Sequence, residues 1–203
     1  MQKIEKLEYG QFYHIYNHAV GGRDLFRIPD NYEYFLGLYD KYISSVADTY
    51  AWVLMKNHFH ILVRINDFID ITPDRVQNPV WGNNKIGTPS QQFSKLFNSY
   101  AQAYNKYYET RGALFERPFK RKLIDNKYYL KQVILYIHNN PVHHGFCEYP
   151  DEYPWSSYLT CVSIKPTKLQ REKVVGWFDG NASFKTTHNE KFNMNEMDDW
   201  LGM

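Results

Sequence analysis

Two histidines, His58 and His60, lie one residue apart in the otherwise apolar stretch WVLMKNHFHILVRI, residues 52–65. Alternate residues of a β-strand share a face, so both imidazoles point the same way, with Cβ atoms roughly 6–7 Å apart. Phe59 and Ile61 then point to the opposite face, toward the core. Two neutral imidazoles on one strand suit a divalent cation, although the solvated face of a sheet produces the same pattern.

A second pair of chemically capable residues lies in YLKQVILYIHNNP, residues 129–141. Tyr136 and Asn140 are four residues apart, which places them one turn apart on one helix face. A tyrosine hydroxyl can act as a nucleophile, and an amide oxygen is a hard ligand for Mg²⁺ or Mn²⁺. The two pairs together predict a metal-assisted attack of Tyr136 on a phosphate. With 18 tyrosines in the chain, a Tyr four residues from an Asn also arises by chance.

A small α+β fold is predicted to position these residues. Alternating apolar residues predict four strands, and 3.6-residue periodicity predicts three helices. The strands fall at 11–20, 50–56, 58–65 and 118–124, and the helices at 31–47 after an Asp30 cap, from Thr88 to Gly112, and from Asp125 or Asn126 to Asn140. Thr88, Pro89 and Gln91 form a capping box, and Pro141 is expected to stop the third helix.

The order β-α-β-β-α-β predicts a ferredoxin-like sandwich with an antiparallel sheet, followed by the helix that carries Tyr136. We interpret residues 1–145 as the catalytic domain. Residues 146–203 are interpreted as an irregular extension packing on it, with one short helix at 167–178 and little apolar periodicity from 179 onward. The connection 66–88 is long enough to predict a functional or disordered loop.

Composition narrows the class of protein. Cys147 and Cys161 form no C-x-x-C pair, which argues against a disulfide scaffold or a cysteine-rich zinc site. No apolar run approaches membrane-spanning length, and there is no P-loop or dinucleotide fingerprint. These features predict a cytoplasmic protein without a membrane partner or a nucleotide cofactor.

Positive charge is concentrated between residues 92 and 132, which hold nine Lys or Arg and three Asp or Glu. Basic residues track phosphates and interleaved aromatics can stack on unpaired bases, so this segment is a predicted DNA contact. The predicted DNA-binding residues are Arg111, Arg117, Lys120, Arg121 and Lys122. An ordinary solvated strand edge, with Phe115 and Phe119 in the core, would have the same composition.

Five other histidines and Trp155 carry weaker signals. His14 and His18 are expected to be structural, His138 to pack or lie at the surface, and Trp155 to anchor the core. His143 and His144 fit either a DNA contact or a solvated loop.

The ordered motifs resemble those of a known family. HFH after LMKN resembles the His-hydrophobic-His motif of the single-tyrosine HUH transposases. LYIHNNPVHHG, YPWSSY and the F-x-R-P-F-K region resemble the branch associated with repetitive extragenic palindromes (REP). The similarity runs from about residue 9 to residue 158.

This resemblance implies a metal-dependent endonuclease and strand transferase acting on single-stranded DNA with hairpin or palindromic structure. His58 and His60 match the motif histidines that bind Mg²⁺ or Mn²⁺, and Tyr136 matches the tyrosine that becomes linked to a 5′ phosphate. Asn140 falls where the family has a third polar ligand, often Gln. Members act as monomers, or as homodimers with the tyrosine supplied in trans. Two other classes remain open: a non-catalytic nucleic-acid-binding module and an H-x-H metal hydrolase that uses water.

Overall fold

A four-stranded antiparallel sheet forms the centre of the computed structural model, which describes residues 5–67 and 87–202. The strands are β1 (Phe12–His18), β2 (Ala47–Met55), β3 (His58–Ile65) and β4 (Lys120–Ile124). Their spatial order is β2-β3-β1-β4, with every neighbouring pair antiparallel. With the helices below, this order is a ferredoxin-like split βαβ arrangement, so the predicted fold class is confirmed. Lys56 and Asn57 make the two-residue turn that joins β2 to β3.

Helices α1 (Pro29–Ile43) and α2 (Pro89–Tyr107) pack together on one face of the sheet. α2 begins with the predicted capping box, in which the Thr88 amide donates to Oε1 of Gln91 at 2.9 Å. It ends at Tyr107, before Gly112. α1 begins one residue before the expected Asp30 cap and ends early, because the chain turns at Ser44 to enter β2 at Ala47.

The two faces of β3 belong to two different apolar clusters. Phe59, Ile61 and Val63 are at most 1% exposed and pack with the residues of α1 and α2. His58, His60 and Leu62 lie on the other face, and Leu62 packs in the second cluster, with α3. The predicted separation of the histidines from the α1–α2 core is therefore confirmed.

Helix α3 (Lys127–His143) covers the second face of the sheet. The Asn126 side chain caps it by accepting a hydrogen bond from the Tyr128 amide at 2.7 Å. The prediction that Pro141 stops this helix is wrong, because the helix continues for two residues beyond it. Pro141 has no amide to donate to the preceding turn, but hydrogen bonding resumes beyond it, where the amides of His144 and Phe146 donate to the carbonyls of Asn140 and Pro141.

The segment after α3 is more regular than its sequence indicates. It forms α4 (Tyr158–Val162), α5 (Arg171–Trp177), α6 (Asn181–Asn189) and α7 (Met194–Leu201). Only α5 falls in the predicted short helix. The lack of apolar periodicity assigned to residues 179 onward is corrected by α6 and α7, whose Phe184, Met197 and Leu201 are buried in the cluster on α3.

The extension also pairs with the edge of β2. The amides of Leu54 and Ser157 donate to the carbonyls of Trp155 and Trp52, each at 2.9 Å. Trp155 stacks on Tyr32 with ring centroids 4.3 Å apart, which confirms its predicted place in the core. The division of the chain at residue 145 stays a prediction.

Most of the predicted loop 66–88 lies outside the described residues. Within residues 5–67 and 87–202, no helix combines the length and the apolar character needed to cross a bilayer.

Candidate active site

His58 and His60 lie side by side between the sheet and α3. Their ring centroids are 5.1 Å apart, and the residues are only 5% and 1% exposed. Burial lowers the pKa of His58 to about 4, and burial together with the neighbouring imidazoles holds the pKa of His60 well below its ordinary value. Both rings are therefore neutral at physiological pH, which is the form that binds a metal ion.

α3 brings the second predicted pair to the same place. Oδ1 of Asn140 lies 3.0 Å from Nε2 of His58, and the Tyr136 ring lies edge-on to His60 with centroids 5.3 Å apart. The four residues come from a central strand and a helix almost 80 positions later in the chain. The structure thus collects the residues predicted as ligands and as nucleophile.

The hydrogen bonding of His58 contains a mismatch. Its Nδ1 lies 2.8 Å from Oδ1 of Asn57, and its Nε2 lies 3.0 Å from Oδ1 of Asn140. Both oxygens are acceptors, whereas a neutral imidazole has one N–H, so one of these contacts has no proton. If the proton lies on Nδ1, the lone pair of Nε2 faces the lone pair of an amide oxygen. Either a reversed Asn140 amide, whose buried Nδ2 has no other partner, or a cation between the two atoms would relieve this arrangement.

The distances fit such a cation. Two adjacent ligands of an octahedral Mg²⁺, each about 2.1 Å from the ion, lie about 3.0 Å apart, as Nε2 of His58 and Oδ1 of Asn140 do. In the described part of the chain, no three His, Cys, Asp or Glu side chains are grouped to hold a metal. The candidate donor set therefore depends on the amide of Asn140 as its third member.

His14, for which the sequence predicted a structural role, lies against His60. Its Nε2 lies 3.0 Å from Nδ1 of His60, and the two rings are stacked with centroids 5.1 Å apart. His14 is fully buried, and burial lowers its pKa to about 3. The β1–β3 register, which pairs His14 with Leu62 and Tyr16 with His60, sets His14 diagonally opposite His60. The alternation of residues along β1 indicates which face of the sheet carries His14, but not that His60 is its neighbour.

His18 and His144 extend the cluster on the other side of His58. Their rings lie 5.0 Å and 5.1 Å from the His58 ring. The pKa of each is lowered, chiefly by the partial burial of its ring. The predicted alternatives for His144 were a DNA contact or a solvated loop, and the structure places this exposed residue at the rim of the site.

The Tyr136 hydroxyl donates a hydrogen bond of 2.8 Å to Oδ1 of Asp198, on α7. Burial, and then the nearby carboxylate, raise the pKa of Tyr136 above its ordinary value. The tyrosine is only 2% exposed. Sequence reasoning did not find Asp198, because it lies in a segment without a strong pattern and 62 residues from its partner.

The five predicted DNA-binding residues do not form one patch. Lys120 and Lys122 project from β4 on the histidine face, beside Tyr16 and His14 in the register. Arg121 points to the other face, packs on Phe119 and donates to Ser90 of α2 at 3.1 Å. Arg117 also contacts α2, through Asn98, and Arg111 is exposed.

The aromatic residues of this basic segment are not available for base stacking in this conformation. Phe115 and Phe119 are 5% and 8% exposed and pack in the core with α2.

Comparisons with known proteins agree with the fold. No family model matches the chain, and no curated protein matches it. Among solved structures, the chain is similar to one described as a REP-associated tyrosine transposase bound to a REP hairpin. The TM-score is 0.61 and the sequence identity 15%, over 82% of this chain and 88% of that one. At this identity the likeness establishes a shared fold.

Proposed function

We propose that this protein is a transposase, or a transposase-like protein, that cleaves and rejoins single-stranded DNA at hairpin or palindromic sites through a covalent 5′-phosphotyrosine intermediate on Tyr136. The observation that carries the proposal is the placement of Tyr136 and Asn140 of α3 against His58 and His60 of β3, with Asn140 3.0 Å from His58. The transposase whose fold is similar was solved with a REP hairpin, which supports a nucleic-acid partner.

A divalent ion, Mg²⁺ or Mn²⁺, is proposed to be held by His58, His60 and Asn140. When bound, such an ion neutralises charge on a scissile phosphate and orients it. For His60 to use Nε2 as a ligand, its Nδ1 must donate the proton of the contact with His14. His14 therefore fixes the tautomer and the orientation of His60.

The chain's own residues supply the rest of the reaction. The Tyr136 oxygen attacks the phosphorus and the bond from phosphorus to the 3′ oxygen breaks, which leaves a phosphotyrosine and a free 3′ hydroxyl. Because the new ester keeps the phosphodiester bond energy, the 3′ hydroxyl of another strand can attack it and rejoin the DNA.

The DNA is proposed to approach along the β4 edge. Lys120 and Lys122 are the two predicted contacts on the histidine face, and the Lys122 amine lies 5.1 Å from the Trp200 ring. Basic side chains beside an aromatic surface suit the phosphates and bases of a single strand. Arg111, Arg117 and Arg121 stay predicted DNA contacts. A monomer and a homodimer are both compatible with this proposal.

Covalent adduct formation tests the function. The protein is incubated with Mn²⁺ and a labelled hairpin oligonucleotide with single-stranded flanks, and the products are separated on a denaturing gel. A labelled protein band is expected from the wild type and from Tyr128→Phe, an exposed tyrosine of the same helix, but not from Tyr136→Phe.

Two other results would contradict the proposal. Cleavage that survives Tyr136→Phe would indicate a hydrolase that uses water. Hairpin binding without cleavage in any divalent metal would indicate a non-catalytic binding module.

A further inference from the structure

Helix α7 brings a carboxylate to the proposed nucleophile. Oδ1 of Asp198 accepts the Tyr136 hydroxyl at 2.8 Å, and the Asp198 side chain is only partly buried. This is the contact expected between a nucleophile and a base that activates it.

The packing of α7 fixes the position of this carboxylate. Met194, Met197 and Leu201 are buried on the side of the helix that faces α3. Trp200 stacks on Tyr129 of α3 with ring centroids 3.9 Å apart, and the Asn193 side chain caps the first turn. Asp198 is therefore held by a packed helix on the same α3 that carries the nucleophile.

Asn140 and His60, which also lie near Tyr136, are poorer proton acceptors than Asp198. The amide of Asn140 is not basic. The His60 ring lies edge-on to the tyrosine ring, and its Nδ1 contacts His14. The lone pair on Nε2 of His60 is the one proposed to bind the metal. A tyrosine in water has a pKa of about 10, so its unassisted ionisation is unfavourable at neutral pH. Direct transfer to a carboxylate avoids a free phenolate.

We propose that Asp198 is the general base that takes the Tyr136 proton during DNA cleavage. This inference rests on the proposed function. As the bond from the phenol oxygen to phosphorus forms, the phenol proton moves to the Asp198 carboxylate. The bond from phosphorus to the 3′ oxygen breaks, and the 3′ oxygen takes a proton from water. Asp198 then releases its proton to solvent, which it reaches through its exposed side.

The rejoining step runs through the same contact in reverse. Asp198, which has taken up a proton from solvent again, donates it to the phenol oxygen as the incoming 3′ hydroxyl loses its proton to water, attacks phosphorus and displaces Tyr136. One carboxylate thus acts as a base in cleavage and as an acid in joining.

The experiment compares the rate of the Mn²⁺-dependent hairpin adduct in Asp198→Ala, Asp198→Asn and Asp199→Asn. Asp199 is exposed on the same helix and has the same charge, so it is the matched control. Hairpin affinity is measured in parallel, and far-ultraviolet circular dichroism with a melting curve reports folding. Loss of a general base is expected to slow adduct formation by about 100-fold or more in both Asp198 variants, with unchanged hairpin affinity and an unchanged rate in Asp199→Asn.

Chemical rescue separates a base from a merely positioning group. Formate should occupy the space left in Asp198→Ala and restore adduct formation in proportion to its concentration, while it should not accelerate the wild type. Asp198→Asn keeps the side-chain shape, so it serves as the test if Asp198→Ala does not fold.

Three results would overturn the inference. The first is an Asp198→Asn rate equal to that of the wild type, and the second is a faster rate, which would make Asp198 a restraint on the tyrosine. The third is a slow Asp198→Ala that formate does not rescue. A wild type that forms no adduct would instead refute the proposed function itself.

Discussion

Replacing His14 with Phe should weaken metal binding without weakening the fold. The phenyl ring retains the stacking on His60 and Tyr16, whose centroids lie 5.1 Å and 4.9 Å from that of His14. It removes the 3.0 Å partner of Nδ1 of His60. The loss of an outer partner of a metal-bound histidine costs about 10–100-fold in affinity, which corresponds to about 1.4–2.8 kcal/mol of binding free energy.

The free energy of unfolding of His14→Phe should stay close to that of the wild type although its metal affinity is lower. Nδ1 of His14 is itself buried without a hydrogen-bond partner, so Phe removes one unsatisfied polar atom while it creates another. We therefore expect the free energy of unfolding to change by less than about 1 kcal/mol. Urea unfolding measures this directly.

Isothermal titration with Mn²⁺ and protein stripped of metal provides the affinity. His60→Gln removes a proposed ligand and should abolish binding, whereas the exposed His143→Gln should bind as the wild type does. If His14→Phe binds Mn²⁺ as tightly as the wild type while His60→Gln does not bind, His14 does not orient His60 and the reasoning fails.

Three further predictions concern the fold and the DNA contact. Burial lowers the pKa of His188 to about 4. Below pH 6.5 the His188 side chain is protonated in the unfolded chain but stays neutral in the folded chain, so the free energy of unfolding decreases as the pH is lowered. The loss from His188 is about 2 kcal/mol at pH 5, and urea midpoints at pH 7.5 and 5 should show a smaller drop in His188→Gln. Phe184 is fully buried against His138, so Phe184→Ala should cost about 3–5 kcal/mol in the same assay; a loss below 1 kcal/mol would mean that α6 is not docked in solution. The double variant Lys120→Ala, Lys122→Ala should reduce the slope of log affinity against log salt concentration for single-stranded DNA by about 1.4, measured by fluorescence anisotropy. An unchanged slope would mean that the DNA does not contact the β4 edge.

Local patterns were sufficient for most of the fold. The alternation in β3 assigned His58 and His60 to the face opposite Phe59, and the capping box placed the start of α2 at Pro89, because both signals depend on neighbouring residues. Pro141 shows the limit of such signals, since α3 continues for two residues past it. Lys120 and Arg121 lie on opposite faces of β4 because adjacent residues of a strand alternate. The pairing of β4 with β1 decided which of these two faces borders the histidines.

The amino-acid sequence by itself determined the βαββαβ order, the face that carries His58 and His60, and the helix face shared by Tyr136 and Asn140, because periodicity fixes which side chains of one element point together. Only the tertiary structure decided what each of these groups touches. His14 meets His60 through the register of two strands, and Asp198 reaches the Tyr136 hydroxyl through the docking of α7 on α3. Those contacts depend on how separate elements pack, and the spacing of residues within one element carries no information about that.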